Sequence, residues 1–538
     1  MATRRDFLKK ASAGMASLPY LSSAQKFSVS GKPRGNLLFI LVDQLRFDAL
    51  SCMGNDVIET PNIDSLAASG VLFDKAYTAC AVSVPARASL LTGCSIHRTG
   101  IAGNGICYES KGELTGTENI YNMLSYDEVL MRNGYHGEYF GKWHSPEFRA
   151  YAYNNRPVGC AGMTNHSELG TGLGKIYTDW LTAVAPPAEQ KDGDVYYKPV
   201  TRYYAPDPFD PMFYGNTEPK GEAYVVGELR VSKEHTRTAM DSKFVIDSIN
   251  RCAGNPFTIH CSYGPPHPPF LVCPEYRGQL SPDDVEMVPN FDARESVSPY
   301  IVRIGRETYF QNPDTLKYLI RNYWLMVKEL DDWVGEVIAA LRTNNLLDDT
   351  MIVFTADHGE MLGAHGMSGK STFYEESARV PLIVSYPGRI PAGQVVNAPV
   401  NTPALYATIL DYLNVTGATH TPDQPSLRRY IENPSPELLV DAFGFSEWNT
   451  DSMPGEMIRT ADWKLMCGRV VKSNNCVDAL YDMKNDPLET TNLLFASNYQ
   501  DYLPIAEQLR ARLVSHLRSI DSPYADGVEA RVFTTAKK

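Results

Sequence analysis

The sequence predicts an α/β domain built on a large mixed, mostly parallel sheet sandwiched by helices, joined to a smaller C-terminal antiparallel α+β subdomain. Three observations carry this expectation. An uninterrupted apolar run of strand length at 37–42 suits a central strand buried on both faces, the same design recurs at 351–355 and 257–262, and the three lead to polar residues, Asp43, Asp357 and His267, beyond their C-terminal ends. Helical segments fall between them, at 62–69, after Pro85, and at 121–133, 239–250 and 314–343; such alternation builds a sheet whose carboxyl edge gathers ligands. Beyond about Pro422 the pattern turns to short alternating strands, 438–445, 457–460, 463–467 and 479–481, closed by a helix at 504–520, which reads as a small antiparallel sheet with a terminal helix.

At 538 residues the chain is long for one core and divides into a large domain, 33–421, and a subdomain, 422–538. A net charge of −13 argues against nucleic acid as a partner, so an anionic substrate needs a local cluster of Lys, Arg or metal. Thr3-Arg4-Arg5-Asp6-Phe7-Leu8-Lys9-Lys10 precedes a weakly apolar stretch and Ser22-Ser23-Ala24. This reads as a twin-arginine-type signal peptide over 1–24, which makes the twin-arginine export machinery a partner and the bacterial periplasm the location; an amphipathic first helix is the other reading. No later apolar run reaches the roughly 18 residues of a membrane span.

Residues 153–231, rich in Tyr, Pro, Gly and Asn, read as long ordered loops near the site. The ten cysteines are scattered without C-x-x-C pairs. Cys467 and Cys476 could face each other across a hairpin and pair, although spacing alone does not set disulfide geometry.

Six elements carry candidate chemistry. Asp43-Gln44 and Asp357-His358-Gly359-Glu360 come directly after predicted strands and offer ligand-type side chains to one sheet edge. Ser83-Val84-Pro85-Ala86-Arg87-Ala88-Ser89-Leu90-Leu91-Thr92-Gly93 opens a helix with Pro near its start. Gly141-Lys142-Trp143-His144, and the stretch from Gly363 to Lys370 that includes His365, supply fixed cations and imidazoles, and Ser262-Tyr263-Gly264-Pro265-Pro266-His267-Pro268-Pro269-Phe270 is a stiff proline-rich loop bearing a histidine. Each has an ordinary reading as strand cap, turn or solvated surface.

Together and in their order along the chain, these elements resemble the type I sulfatases of the alkaline phosphatase superfamily, in the serine form of their C/S-x-P-x-R signature. The resemblance spans nearly all of the chain after residue 24 and implies an alkaline-phosphatase-like fold and hydrolysis of sulfate monoesters, most naturally those of sugars or polysaccharide fragments. It implies that Ser83 is converted to formylglycine (3-oxoalanine), whose hydrate attacks sulfur, by a serine-type sulfatase-maturing radical enzyme. It implies Ca2+ held by Asp43, Gln44, Asp357, His358 and converted Ser83. Arg87 would hold the formylglycine, Lys142 and Lys370 the sulfate oxygens; His144 would act as base when the aldehyde is regenerated, and His267 as general acid to the leaving alcohol. Gln44 stands where many members have a second aspartate and His358 where many have asparagine; both soften the ligand set, and the imidazole makes a transition metal less foreign.

Two alternatives stay open. One is a phosphodiesterase or phosphonate monoester hydrolase of the same superfamily, although no motif for a second metal ion is evident. The other is a non-catalytic protein that binds sulfated glycans, if Ser83 is not converted.

Overall fold

The computed structural model describes residues 35–104, 120–145, 153–154, 175–187, 189, 226–229, 231–252, 254–293, 313–448, 455–468 and 477–535. The 1–24 segment, most of the Tyr-rich 153–231 region and Cys476 lie outside them.

The first apolar run forms β1 (Asn36–Val42), buried throughout. Seven more strands share its sheet: β2 (Val71–Tyr77), β3 (His136–Gly141), β5 (Phe257–Tyr263), β7 (Thr350–Ala356), β8 (Arg379–Ser385), β9 (Gln394–Val396) and β10 (Val400–Asn401), while β4 (Val226–Glu228) and β6 (Phe270–Val272) pair separately. The order is β10-β2-β8-β7-β1-β5-β3, with β9 also on β2. The block β3-β5-β1-β7 is parallel; β8 runs antiparallel to both β7 and β2. The mixed, mostly parallel sheet is as expected.

Register puts the functional segments on one edge. Val42 lies beside Tyr263 and Ala356, and Gly141 beside Ser262, so the connections out of β1, β3, β5 and β7 all leave from the same end. Tyr77, the end of β2, pairs with Arg379, the start of β8, which brings the chain after 77 and the chain before 379 to that edge as well. Helices cover the sheet: α1 (Pro61–Ser69), α2 (Ser83–Thr92) and the 31-residue α3 (Pro313–Thr343) among them. The Asp331 carboxylate on α3 accepts from the Asn62 and Ile63 amides at 3.2 and 2.8 Å, satisfying first-turn donors of α1 that have no intrahelical partner.

A second sheet, β11 (Gly444–Trp448), β12 (Gly455–Arg459), β13 (Trp463–Gly468) and β14 (Ala479–Asp482), is antiparallel throughout. One face buries Phe445, Ile458, Leu465 and Leu480 against Leu509, Leu513 and Leu517 of α4 (Leu503–Ser519). Its other face packs Met457, Met466 and Tyr481 against Tyr77, Met361, Phe373 and Tyr374, so the second sheet supports the segment between Asp357 and β8.

Three local expectations need correction. The strand expected at 438–445 is a short helix, Pro436–Val440, then β11; Pro436 sits in its first turn and Ser435 accepts from the Leu438 amide at 3.2 Å, and a proline and a serine cap there favour helix over strand. The helix expected at 121–133 is a 3-10 turn, Ile120–Asn122, then Tyr126–Arg132, because Ser125 and Glu128 form a capping box that starts a new helix. Within the region read as loops stand a helix, Lys175–Val184, and β4. Cys467 is a buried free thiol. Among the described residues no helix is long and apolar enough to cross a membrane.

Candidate active site

The site is assembled from residues just past the strand ends. Asp43 is anchored by its amide to the Tyr263 carbonyl (3.0 Å), Asp357 to the Val42 carbonyl (3.3 Å) and Lys142 to the Ser262 carbonyl (2.8 Å). Two glycines let the chain pass this closely. A Cβ on Gly141, which has φ +90°, would lie 1.9 Å from the Ser262 carbonyl oxygen, and one on Gly359 would lie 2.0 Å from that of Glu376, so any side chain would force the backbones apart.

Ser83 begins α2 and is fully buried, with Oγ 2.9 Å from His358 Nε2. His358 Nδ1 donates to the Gly359 carbonyl at 2.9 Å, which leaves Nε2 as the acceptor facing Ser83. One turn along α2, Arg87 threads between the carboxylates. Its Nη2 meets Asp43 Oδ2 at 3.0 Å and its Nε meets Asp357 Oδ2 at 2.8 Å, while Nη1 donates to the Lys142 carbonyl and Ser262 Oγ. Arg87 thus frames the two carboxylates rather than reaching for the Ser83 side chain.

Lys142 Nζ lies 2.8 Å from Asp43 Oδ2. Burial would raise the Asp43 pKa, but Lys142, His267 and Arg87 hold it well below the usual carboxylate range. Lys370 Nζ donates to Gln44 Oε1 at 2.7 Å and to His267 Nε2 at 3.1 Å. His267 Nδ1 donates to the Pro268 carbonyl at 2.8 Å, so its Nε2 is an acceptor here. Burial, and then Lys142 and Lys370, depress its pKa well below that of free imidazole, which makes the neutral ring the form held in this arrangement.

Of the expected site residues, Asp43, Gln44, Ser83, Arg87, Lys142, His267, Asp357, His358 and Lys370 join one hydrogen-bonded cluster. His144 is buried on the same edge with φ +38°, but the hydroxyl of Ser83 pairs with His358. His365 orders its loop: Nδ1 donates to the Ala293 carbonyl, Nε2 accepts from Asn290, and the ring stacks on Tyr374 at 3.9 Å.

Other groups complete the frame. Glu360 accepts from the Gln44 side-chain amide, the Leu362 amide and the Gly369 amide, and burial pushes its pKa up. Ser262, which contacts Arg87, could have been found as the first residue of the proline-rich element. Tyr323 of α3, whose hydroxyl donates to the Gln44 carbonyl at 2.7 Å, carries no signal in an ordinary amphipathic helix.

Asp43, Asp357 and His358 offer ligand atoms within 4.8 Å of one another. Asp43 Oδ1 is buried with no hydrogen-bond donor among the described residues; a buried carboxylate oxygen left this way is costly unless something positive meets it. Two carboxylates and an imidazole converge, with the Ser83 hydroxyl 2.9 Å from that imidazole; the two carboxylates suit a hard divalent cation and the imidazole tolerates one, so these residues fit such an ion.

The sulfatase family model matches residues 35–415, and that of the N-sulphoglucosamine sulphohydrolase C-terminal region matches 363–519. The chain is 26% identical over 501 residues to the ulvan-active sulfatase of Formosa agariphila, covering 91% of this chain and 82% of that protein. It is 24% identical over 536 residues to the N-acetylglucosamine-6-O-sulfatase of Bacteroides thetaiotaomicron, covering 87% and 84%. The phosphonate monoester hydrolase of Agrobacterium radiobacter superposes with a TM-score of 0.68 at 25% identity, over 90% of this chain and 96% of that one. A buried serine at a helix start, two carboxylates beside it and lysines around them are thus embedded in a match that runs through most of the chain, which belongs to the sulfatase family and is a sulfuric ester hydrolase.

Proposed function

We propose that the chain hydrolyses sulfate monoesters on sugars or polysaccharide fragments, with Ser83 converted to formylglycine and Ca2+ held by Asp43, Gln44, Asp357, His358 and the converted residue. The observation that carries the reading is the placement of Ser83 Oγ 2.9 Å from His358 Nε2, beside a carboxylate pair that Arg87 bridges. Formylglycine supplies two geminal hydroxyls on one carbon, one to take the sulfuryl group and one whose deprotonation expels sulfate. The cation would draw charge from the sulfate oxygens.

The chain's own residues do the rest. Lys142 and Lys370 present ammonium groups at Asp43 and at Gln44, available to a sulfate whose negative charge shifts toward the bridging oxygen. His267 is the candidate acid for the leaving alcohol. A bound sulfate beside the two lysines opposes the repulsion that keeps the ring neutral, so the partly exposed ring can take a proton from solvent and pass it to the leaving oxygen while Lys370 keeps its charge. His144 is proposed as the base for regeneration of the aldehyde.

The sugar assignment draws on the ulvan-active and N-acetylglucosamine-6-O sulfatases among the relatives. Export by the twin-arginine machinery to the periplasm, after conversion by a serine-type radical maturase, belongs to the same proposal and draws on Arg4-Arg5 and Ser83. The likeness to a phosphonate monoester hydrolase supports a second reading, phosphonate or phosphodiester hydrolysis at the same site.

Sulfate release from a panel of sulfated saccharides, using protein co-expressed with a serine-type maturase, tests the proposal. Mass spectrometry at residue 83 should find a loss of about two hydrogens, and Ser83→Ala should abolish release. Converted protein that ignores sulfate esters but cleaves phosphonate esters establishes the second reading. Unconverted protein without release shows only that maturation failed, and the measurement is then repeated on converted protein.

A further inference from the structure

Gln44 is fully buried, yet its backbone is left-handed at φ +62°. A non-glycine residue keeps that conformation only where its surroundings over-determine it. Four contacts do so. Its amide donates to Asp357 Oδ1 at 3.1 Å, its side chain meets Lys370 Nζ at 2.7 Å and Glu360, and its carbonyl accepts from the Tyr323 hydroxyl at 2.7 Å. The same hydroxyl accepts from the Arg46 amide at 2.9 Å. One phenol oxygen therefore bridges residues 44 and 46, taking the place of a backbone hydrogen bond across the turn.

The phenol is itself fixed. Tyr323 is fully buried on α3, with its ring edge-on to Phe270 at 5.8 Å. Its neighbour Asn322 donates to the Phe270 carbonyl at 2.9 Å and the Gly227 carbonyl at 3.0 Å. Two consecutive residues of one helix thus hold the Asp43-Gln44 turn and the end of the loop that carries His267.

We infer that Tyr323 is a positioning residue for the cation site and for Lys370, acting through Gln44. The inference rests on the proposed cation site. Without the hydroxyl, the buried Gln44 carbonyl and Arg46 amide lose their shared partner, and the turn relaxes toward a right-handed backbone that re-aims the Gln44 side chain. Removing a group that orients a ligand typically costs 10- to 100-fold in metal affinity or activity.

The test is Tyr323→Phe in the full chain, titrated with calcium chloride by calorimetry, with kcat and KM then read at saturating calcium. Val337→Ala, buried on the same helix and about 21 Å along its axis at 1.5 Å per residue, is the control for general loosening. The expected result is a calcium Kd raised about tenfold or more and a lower kcat in Tyr323→Phe, with Val337→Ala binding calcium as the parent does. Equal affinity in Tyr323→Phe, or an equal loss in Val337→Ala, overturns the inference and leaves the cation site standing. A parent chain that takes up no calcium overturns the cation site and the inference with it.

Discussion

The segment from 370 to 379 enters two buried clusters of charge, and they are built on opposite plans. At its start Lys370 donates to two neutral acceptors, Gln44 Oε1 and His267 Nε2. Five residues on, Glu375 joins a cluster in which Lys464 of the second sheet lies 2.7 Å from Glu375 Oε1 and 2.8 Å from Glu489 Oε1 and donates to the Phe373 carbonyl at 2.9 Å. Glu375 also accepts from Tyr77, and its amide donates to Glu489. Lys464 is completely buried, whereas the His267 side chain keeps 23% exposure. The second cluster is a closed ionic joint. The first is more open, since the bonds Lys370 makes to Gln44 and His267 go to uncharged acceptors that an arriving anion can displace, and the proposed sulfate site uses that opening.

The largest effect that would sharpen the contrast is on stability. Lys464→Met leaves Glu375 and Glu489 buried without their shared cation, and breaking a buried pair from one side costs about 3–5 kcal/mol. Thermal and urea unfolding should show a loss of that order; a loss below about 1 kcal/mol would mean that Arg459 and Arg379 hold the joint without Lys464. Lys370→Met should do the reverse. With neutral partners left behind, unfolding should shift by no more than about 1 kcal/mol, while kcat/KM for a sulfated saccharide falls about 100- to 1,000-fold, as when one preorganised donor to developing charge is removed. Equal stability losses in the two variants would erase the distinction between joint and site.

How far each cluster was legible in the sequence reflects the same contrast. The strands bearing Asp43 and Asp357 were readable because β1 and β7 are buried on both faces and so are unbroken apolar runs. β2 was not, since Asp74 and Lys75 interrupt it where it is half exposed; nor was β8, where Pro381 weakens the strand signal. The ligand and lysine positions sit in short motifs immediately after strands, where local sequence and spatial position coincide. Tyr323, Lys464 and Glu489 act through space from a helix, a strand and a loop whose local sequences are unremarkable, so only the packed structure relates them to the site. Likewise Pro436 and Ser435 decided for helix against the apolar alternation that suggested a strand.

The smallest effect probes the joint by pH. Burial, with Glu375 and Glu376 nearby, pushes the Glu489 carboxyl up to about 8 from 4.5, although Lys464 opposes the shift. The folded chain therefore holds a proton between about pH 4.5 and 8 that the unfolded chain releases, so this group makes stability fall as pH rises through that window. Glu375 works in another range: burial would raise it, but Lys464, Arg459 and Arg379 hold it at about 2, so its contribution is present above 4.5 and is lost only as pH drops toward 2. Glu489→Gln keeps the oxygen that accepts from the Glu375 amide and removes the titration. Relative to the parent, the variant should gain stability steadily as pH rises from about 5 to 8 in urea unfolding. A parallel pH profile for the two proteins would place the proton elsewhere in the cluster, and the joint would then be an ion pair already complete at neutral pH.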